Sequence, residues 1–306
     1  MSKQYVLVTG ANGFIGRGLC PFLKEKGYFV RGAVRNDARD VVGVDEYIQV
    51  GDINGSTDWQ EALIGVDTVV HLAARVHIMD SRFRGNDNGK GGNDKELEAF
   101  RRVNVLGTER LARMAALAGV KRFIFISSVK AGGKDAYGIS KQEAEDSLAA
   151  VAAETGLKTV ILRPSLVYGQ GVKANFKNLI KLVGLGLPLP FKGIHNQRSF
   201  IYIGNLVDVI SICITHPQAV GETFSVSDGE DISTPDLMKM IASSMNKKLI
   251  LFPLPPAILK GLAALVGQWE AMEKLTGSLC VDCSKIKNLL GWKPPFTLQE
   301  GIKETV

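Results

Sequence analysis

Along the first half of the chain, apolar residues fall in short unbroken runs rather than in alternation. YVLVTG (5–10), YFVRGAVR (28–35), YIQVGD (47–52), TVVHLAA (68–74), RFIFISS (122–128) and KTVILRP (158–164) each read as a strand. Such runs imply burial on both faces, the mark of a parallel sheet. Between them, apolar positions at helical spacing predict helices over 14–27 and about 58–64, 96–118 and 136–155. Strand and helix in turn predict an α/β fold, a doubly wound parallel sheet.

The rhythm changes after Pro164. GLGLPLPF (184–191) reads as a loop, 198–216 as strand then helix, 222–229 as a strand, and 233–245 as a helix capped by its opening serine. These pieces predict a sheet domain over 1–165, with a return at about 198–228. A smaller, interleaved C-terminal lobe is made mainly from 166–306. DSRFRGNDNGKGGNDKE (80–96) has almost nothing to bury and reads as a mobile loop. PPAILKGLAALVGQW (255–269) is broken by Lys260 and too short to span a bilayer. It reads as an amphipathic packing helix, with membrane-surface contact as the alternative.

Composition narrows the classes. With 306 residues, 45% of them hydrophobic, the chain can bury a sizeable core. Its 37 Lys and Arg against 31 Asp and Glu give a formal charge of +6, which suits an anionic ligand. The basic residues are scattered and no nucleic-acid motif accompanies them. The four cysteines, Cys20, Cys213, Cys280 and Cys283, include one CxxC without a second pair. A zinc site needs about four ligands, so these read as reduced thiols and no metal is expected. The opening MSKQYVLVTG has too short an apolar run for a signal peptide. The protein is expected to be cytoplasmic.

VTGANGFIG sets Gly10, Gly13 and Gly16 directly after a strand and at the opening of a helix. The spacing is GxxGxxG. Its logic is that of a dinucleotide (Rossmann) turn: a tight bend, backbone close to a pyrophosphate, and a helix N-terminus facing the anion. The end of the second strand selects the cofactor, an acidic side chain favouring NAD(H) and a basic one NADP(H). Arg35 stands there, with Arg31 before it and Asp37 after, and favours NADP(H); NAD(H) remains possible if Asp37 takes the ribose. Asp52, at the end of the third strand, is placed to bond the adenine amino group.

In DAYGISKQEAE (135–145), Tyr137 and Lys141 lie four apart at the start of a helix and share a face. A cation there would lower the phenol pKa and make it a proton donor and acceptor at working pH.

Together these pieces resemble the extended short-chain dehydrogenases/reductases of the nucleotide-sugar epimerase/dehydratase type. The resemblance is carried by TGANGFIG (9–16), GDI (51–53), HLAA (71–74), Asn104 with Gly107, the serine pair 127–128, YGISK (137–141), RPSLVYG (163–169) and RSFIYIGNLVD (198–208). It implies that Tyr137 is the acid/base, Lys141 its pKa-lowering partner, and Ser128 the group bonding the reacting oxygen, with Ser127 as the fallback. It implies a cofactor site from Gly10, Asn12, Gly13, Phe14, Ile15, Gly16, Arg35, Asp52, Ile53, Leu72, Ala73, Ala74, Asn104, Tyr137, Lys141, Pro164, Leu166 and Val167. Ser128, Asn175 and Arg198 would hold a UDP-sugar, and a homodimer is possible.

The chain departs from the family pattern between Ser128 and Tyr137, where only eight residues stand. Eight residues can reach about 25 Å, so the pairing survives a shortened loop. SSVK, GVKANF, GLPLP, VSDGEDISTPDL and VDCSKIKNLLGW further resemble bacterial reductases of UDP-4-keto-6-deoxy-N-acetylhexosamines, in surface polysaccharide (O-antigen) synthesis. The expected reaction is therefore reduction at C4. The alternatives are a UDP-sugar 4-epimerase with tightly held NAD and a non-catalytic dinucleotide-sensing protein. An intact Ser/Tyr/Lys set argues against the last.

Overall fold

The computed structural model describes residues 3–36, 40–76, 90–172, 174–255, 258–259, 261, 264 and 269–306. The chain divides into two compact units, Met1–Pro164 with Val207–Phe224, and Ser165–Leu206 with Ser225–Val306.

The first unit is built on a seven-stranded sheet. Its strands are β1 (Tyr5–Thr9), β2 (Phe29–Val34), β3 (Glu46–Gln49), β4 (Thr68–His71), β5 (Arg122–Ile126), β6 (Thr159–Pro164) and a strand starting at Thr223, in the order β3-β2-β1-β4-β5-β6 and then that last strand. Every pairing from β3 through β6 is parallel. β4 is buried at all four positions and β5 at four of five, as its unbroken apolar run requires. Helices α1 (Phe14–Glu25), α2 (Gln60–Leu63), α3 (Lys90–Phe100), α4 (Gly107–Leu117) and α5 (Ala136–Thr155) connect the strands. Leu7, Trp59, Leu63, Val69, Leu111, Phe123, Phe125, Leu148 and Val151 fill the core between α2, α4, α5 and the sheet. Truncating a ring such as Phe123 to alanine would cost about 3–5 kcal/mol.

α5 shows how the local sequence sets its limits. Asp135 caps the start, its carboxylate accepting the Gly138 N–H at 2.6 Å, and Gly156 ends it in the left-handed region at φ 74°. The predicted helix over 96–118 is interrupted: Arg101–Leu106 forms a π-turn between α3 and α4. The segment expected as a loop over 80–96 is helical from Lys90 onward. Asp94–Phe100 is rich in helix formers, and Phe100 is buried, with its ring edge-on to that of Tyr137. Residues 80–89 and most of 255–269 lie outside the described residues.

The second unit has its own sheet, β7 (Leu166–Tyr168), β8 (Arg198–Tyr202) and β9 (Asp231–Ile232), with β8 central. Helices α6 (Ala174–Gly184), α8 (Thr234–Ser244) and the helix Leu298–Lys303 belong to it, and α7 (Ile203–Thr215) leads out of it. Ser233 caps α8 through the Asp236 N–H. At its centre the buried Asp228 accepts from Tyr168 Oη (2.8 Å), the Tyr202 N–H (2.9 Å) and Asn205 Nδ2 (2.7 Å). Asn205 also bonds both the carbonyl and the N–H of Phe296. One carboxylate thus ties β7, β8 and the segment before the final helix together.

Candidate active site

The glycine turn forms a cradle that side chains would fill. Gly10 has φ 67°, and a Cβ there would lie 3.1 Å from the Ala73 nitrogen; one on Gly16 would lie 2.4 Å from the carbonyl oxygens of Gly10 and Ala11. The turn therefore closes tightly beneath the N-terminus of α1. An open, side-chain-free surface at a helix N-terminus fits a pyrophosphate, so the residues present suit a dinucleotide. Asn12, Phe14 and Ile15 are half-buried around it, and Leu72, Ala73 and Ala74 run half-buried from the end of β4. At the far end, Arg35 Nε lies 3.0 Å from Asp52, both side chains largely exposed. Ile53 packs directly against Gly107.

Beneath this cradle runs a chain of hydrogen bonds whose direction can be read off. Thr108 gives its hydroxyl proton to the Asn104 carbonyl at 2.6 Å. His71 Nε2, 3.1 Å from Thr108 Oγ1, must then be the donor to it. Nδ1 is left to accept from Thr9 Oγ1 at 2.7 Å, while Thr9 receives the Ala73 N–H at 3.2 Å. His71 is wholly buried and held neutral; burial, seconded by the charge of Lys141, drives its pKa down to about 3. The Asn104 side chain continues the line. It accepts the Arg75 N–H (2.8 Å) and donates to the Arg75 carbonyl (3.1 Å) and to Ser140 Oγ (3.0 Å), which in turn donates to the Tyr137 carbonyl (2.8 Å). The π-turn is what carries Asn104, only 1% exposed, into this position. A continuous polar line therefore joins the strand before the glycine turn to the backbone of Tyr137.

The two serines separate clearly. Ser127 is buried and donates to Glu145, which Arg163 also grips, with Nη2 at 2.5 Å. Ser128 is half-exposed, accepts the Lys130 N–H at 3.2 Å, and its hydroxyl is the polar group that pulls the Tyr137 pKa downward. The structure therefore brings Ser128, not Ser127, to the phenol. The shortened connection folds as compact turns: Ala131 N–H bonds the Ser128 carbonyl at 2.9 Å and Gly133 N–H the Lys130 carbonyl at 2.8 Å. It closes onto Gly138, where a Cβ would sit 2.4 Å from the Lys130 carbonyl oxygen.

Lys141 is fully buried one helical turn beyond Tyr137. Its ammonium donates to the Ile126 carbonyl at 2.8 Å and stands 4.2 Å from the centre of the Phe125 ring. Burial lowers its pKa to about 7, against the opposing pull of Glu145. The expectation that Lys141 depresses the phenol pKa is not met in this state. Tyr137 stands above its ordinary value because burial outweighs the hydrogen bond from Ser128.

In the second unit, Leu166 and Val167 are half-buried on β7, and Pro164 ends β6 in the first. Asn175 lies in the first turn of α6, its side chain outside the described ones. Arg198 opens β8, half-buried, its pKa lowered by burial. Cys283 is buried with Sγ 3.1 Å from Ser227 Oγ, and Cys280 is exposed. No cluster of three or more metal-ligating side chains occurs among the described residues.

Residues 6–227 match the model of the NAD dependent epimerase/dehydratase family. The chain belongs to that family. It is 44% identical to a UDP-glucose 4-epimerase of Vibrio cholerae, over 98% of this chain and 94% of the relative. Among solved structures it is similar to a UDP-glucuronic acid 4-epimerase from Bacillus cereus in complex with NAD, with a TM-score of 0.75 and 22% identity over 99% and 97% of the two chains. It is also similar to MoeE5 in complex with UDP-glucose and NAD, with a TM-score of 0.74 and 23% identity over 98% and 96%.

For this epimerase/dehydratase, sequence reasoning missed Thr9, His71, Thr108 and Ser140. The signal was present: a threonine closes the first strand and a histidine the fourth, neighbours in a parallel sheet, and β1 pairs Thr9 directly with His71. A polar pair facing one another inside an apolar sheet must bond each other.

Proposed function

We propose that the protein is a UDP-sugar 4-epimerase using NAD(H). The carrying observation is the 44% identity to a UDP-glucose 4-epimerase across nearly the whole chain, joined to a phenol, a serine hydroxyl and a buried ammonium on adjoining elements. Reduction of a 4-keto sugar would use the same residues, but it rests on short motifs alone. NAD(H) is favoured over NADP(H) because Arg35 is paired: the Asp52 carboxylate beside it would repel a 2′-phosphate.

Bound NAD would supply the hydride acceptor and donor at C4. The residues of this chain manage the proton and the position. Tyr137 takes the proton from the C4 hydroxyl as the carbon is oxidised and returns it when the ketone is reduced from its other face. Ser128 bonds the phenol and orients it toward the reacting oxygen. Lys141 holds positive charge beneath the site in a position its own burial makes unfavourable, so its proton is loosely held. Asn104 and Ser140 fix the backbone of Tyr137. Arg198 and Asn175 would hold the diphosphate, Arg through its fork of donors.

The test is direct. UDP-glucose and UDP-N-acetylglucosamine are each incubated with purified protein without added cofactor, and the C4 epimers are separated by ion-pair chromatography. Interconversion is the expected result. No epimer from either sugar, with stoichiometric loss of NADPH on a UDP-4-keto-6-deoxy sugar, would restore the reductase reading.

A further inference from the structure

We propose that the second unit carries a surface for peripheral contact with an anionic lipid bilayer. It is formed by Leu185, Leu187, Ile250 and Phe252, with Lys181, Lys192, Lys247 and Lys248 beside them.

Two apolar runs meet there. α6 ends at Gly184, and the chain continues through Leu185 and Leu187, 64% and 57% exposed. Ile250 and Phe252 are 60% and 42% exposed. The runs are held side by side by backbone: Leu189 pairs with Leu251, its N–H donating to the Ile250 carbonyl at 2.9 Å and its carbonyl accepting the Phe252 N–H at 3.0 Å. Ile250 and Phe252, two apart on an extended segment, point to one side. Leu189 faces inward, 6% exposed. Large apolar side chains exposed together mark a contact surface rather than ordinary scatter.

The charge around them says what the contact is. Lys192 donates its N–H to the Phe252 carbonyl at 3.2 Å, and the Lys247 ammonium bonds the Gly184 carbonyl, so both lysines are tied to the apolar runs themselves. Lys181 and Lys248 are exposed beside them. No Asp or Glu occurs from residue 172 to 207, or from 237 to 269. The two stretches hold nine of the 37 basic residues and none of the 31 acidic ones, and Lys181, Lys192, Lys247 and Lys248 are four of those nine. Protein interfaces are depleted in lysine and favour arginine as their cation, whereas the four cations named at this face are all lysines. Exposed apolar residues with lysines beside them match a bilayer, where the leucines and phenylalanine enter the headgroup boundary and the lysines reach anionic lipid. Among the described residues no helix is long and apolar enough to cross a membrane.

The experiment reads binding and not turnover, so it stands apart from the proposed reaction. Full-length protein is sedimented with vesicles of phosphatidylcholine alone and with 30% phosphatidylglycerol, at about 0.1 and 0.5 M salt. We expect at least tenfold greater partitioning onto the anionic vesicles, lost at high salt. The paired changes Lys181→Glu with Lys248→Glu, and Leu187→Ser with Phe252→Ser, should each lower it at least fivefold with unaltered melting temperature. Equal binding to both vesicles, no binding to either, or variants that bind as wild type would overturn the proposal. So would a protein that ignores vesicles but forms a dimer that Leu187→Ser with Phe252→Ser splits; that result assigns the face to a second copy.

Discussion

Lys141 and Asp228 are both ionisable groups buried in the molecule, and their surroundings differ in kind. Asp228 has a donor for nearly every direction in which it can accept: a phenol, a backbone N–H and an amide. Burial raises its pKa while Asn205, Tyr202 and Tyr168 pull it back. Lys141, with three protons to give, donates to one carbonyl among the described residues and otherwise faces an aromatic ring. Its pKa falls to about 7. A buried charge that is fully bonded serves the fold. One left short of partners is held at a cost, and such groups gather where chemistry is done.

The widest gap between the two should appear in turnover. Lys141→Met and Tyr137→Phe are each expected to lower kcat by roughly 10²–10⁴-fold, measured with saturating UDP-sugar. Lys141→Met should not lower cofactor-free stability at pH 7. The wild-type lysine binds a proton less readily folded than unfolded between pH 7 and 10.5, so its penalty is full below about 7 and fades as pH rises. Asp228→Ala should do the reverse, destabilising by roughly 3 kcal/mol because it strands several donors, with Asp228→Asn recovering part of the loss in urea melts. A Lys141→Met protein that unfolds as readily as Asp228→Ala would erase the distinction.

His71 offers a finer test. Its pKa of about 3 folded, against 6.5 unfolded, means that the unfolded chain binds the extra proton between those values. Stability should therefore fall as pH drops from about 6.5 toward 3. His71→Leu should remove that slope and cost about 1–3 kcal/mol at neutral pH, since Thr9 and Thr108 lose their partner. Denaturant titrations at several pH values read both. The smallest effect is expected at Arg35. Its ion pair with Asp52 is exposed on both sides, worth about 0–1 kcal/mol, so Arg35→Ala should leave the melting temperature unmoved and change NAD affinity by less than about tenfold by calorimetry.

How far this could be read from the sequence depended on locality. Strands β1 to β6 follow from their apolar runs, and α5 from a cap and a terminal glycine within its own stretch. The glycine turn and the spacing of Tyr137 and Lys141 are equally local. The choice between Ser127 and Ser128 was not, because it hangs on Glu145 and Arg163 in other elements. The direction of the Tyr137 shift was missed for a related reason: helical spacing brings a lysine near but does not aim its ammonium, and here a strand carbonyl captures it. The Asp228 cluster joins residues as far apart as 168, 228 and 296, with no motif to announce it. The helix from Lys90 was hidden by a glycine- and asparagine-rich lead-in.

The return of residues 207–224 to the first unit has a practical consequence. Glu222 accepts from the Ile161 N–H at 2.9 Å, and the Gly221 N–H reaches the Thr159 carbonyl at 2.8 Å. A fragment stopped at Pro164 would leave that flank of β6 bare, with a row of unpaired amides open to other copies. Expression of the N-terminal portion alone should therefore give inclusion bodies, and a soluble fragment would need the later stretch spliced back beside it.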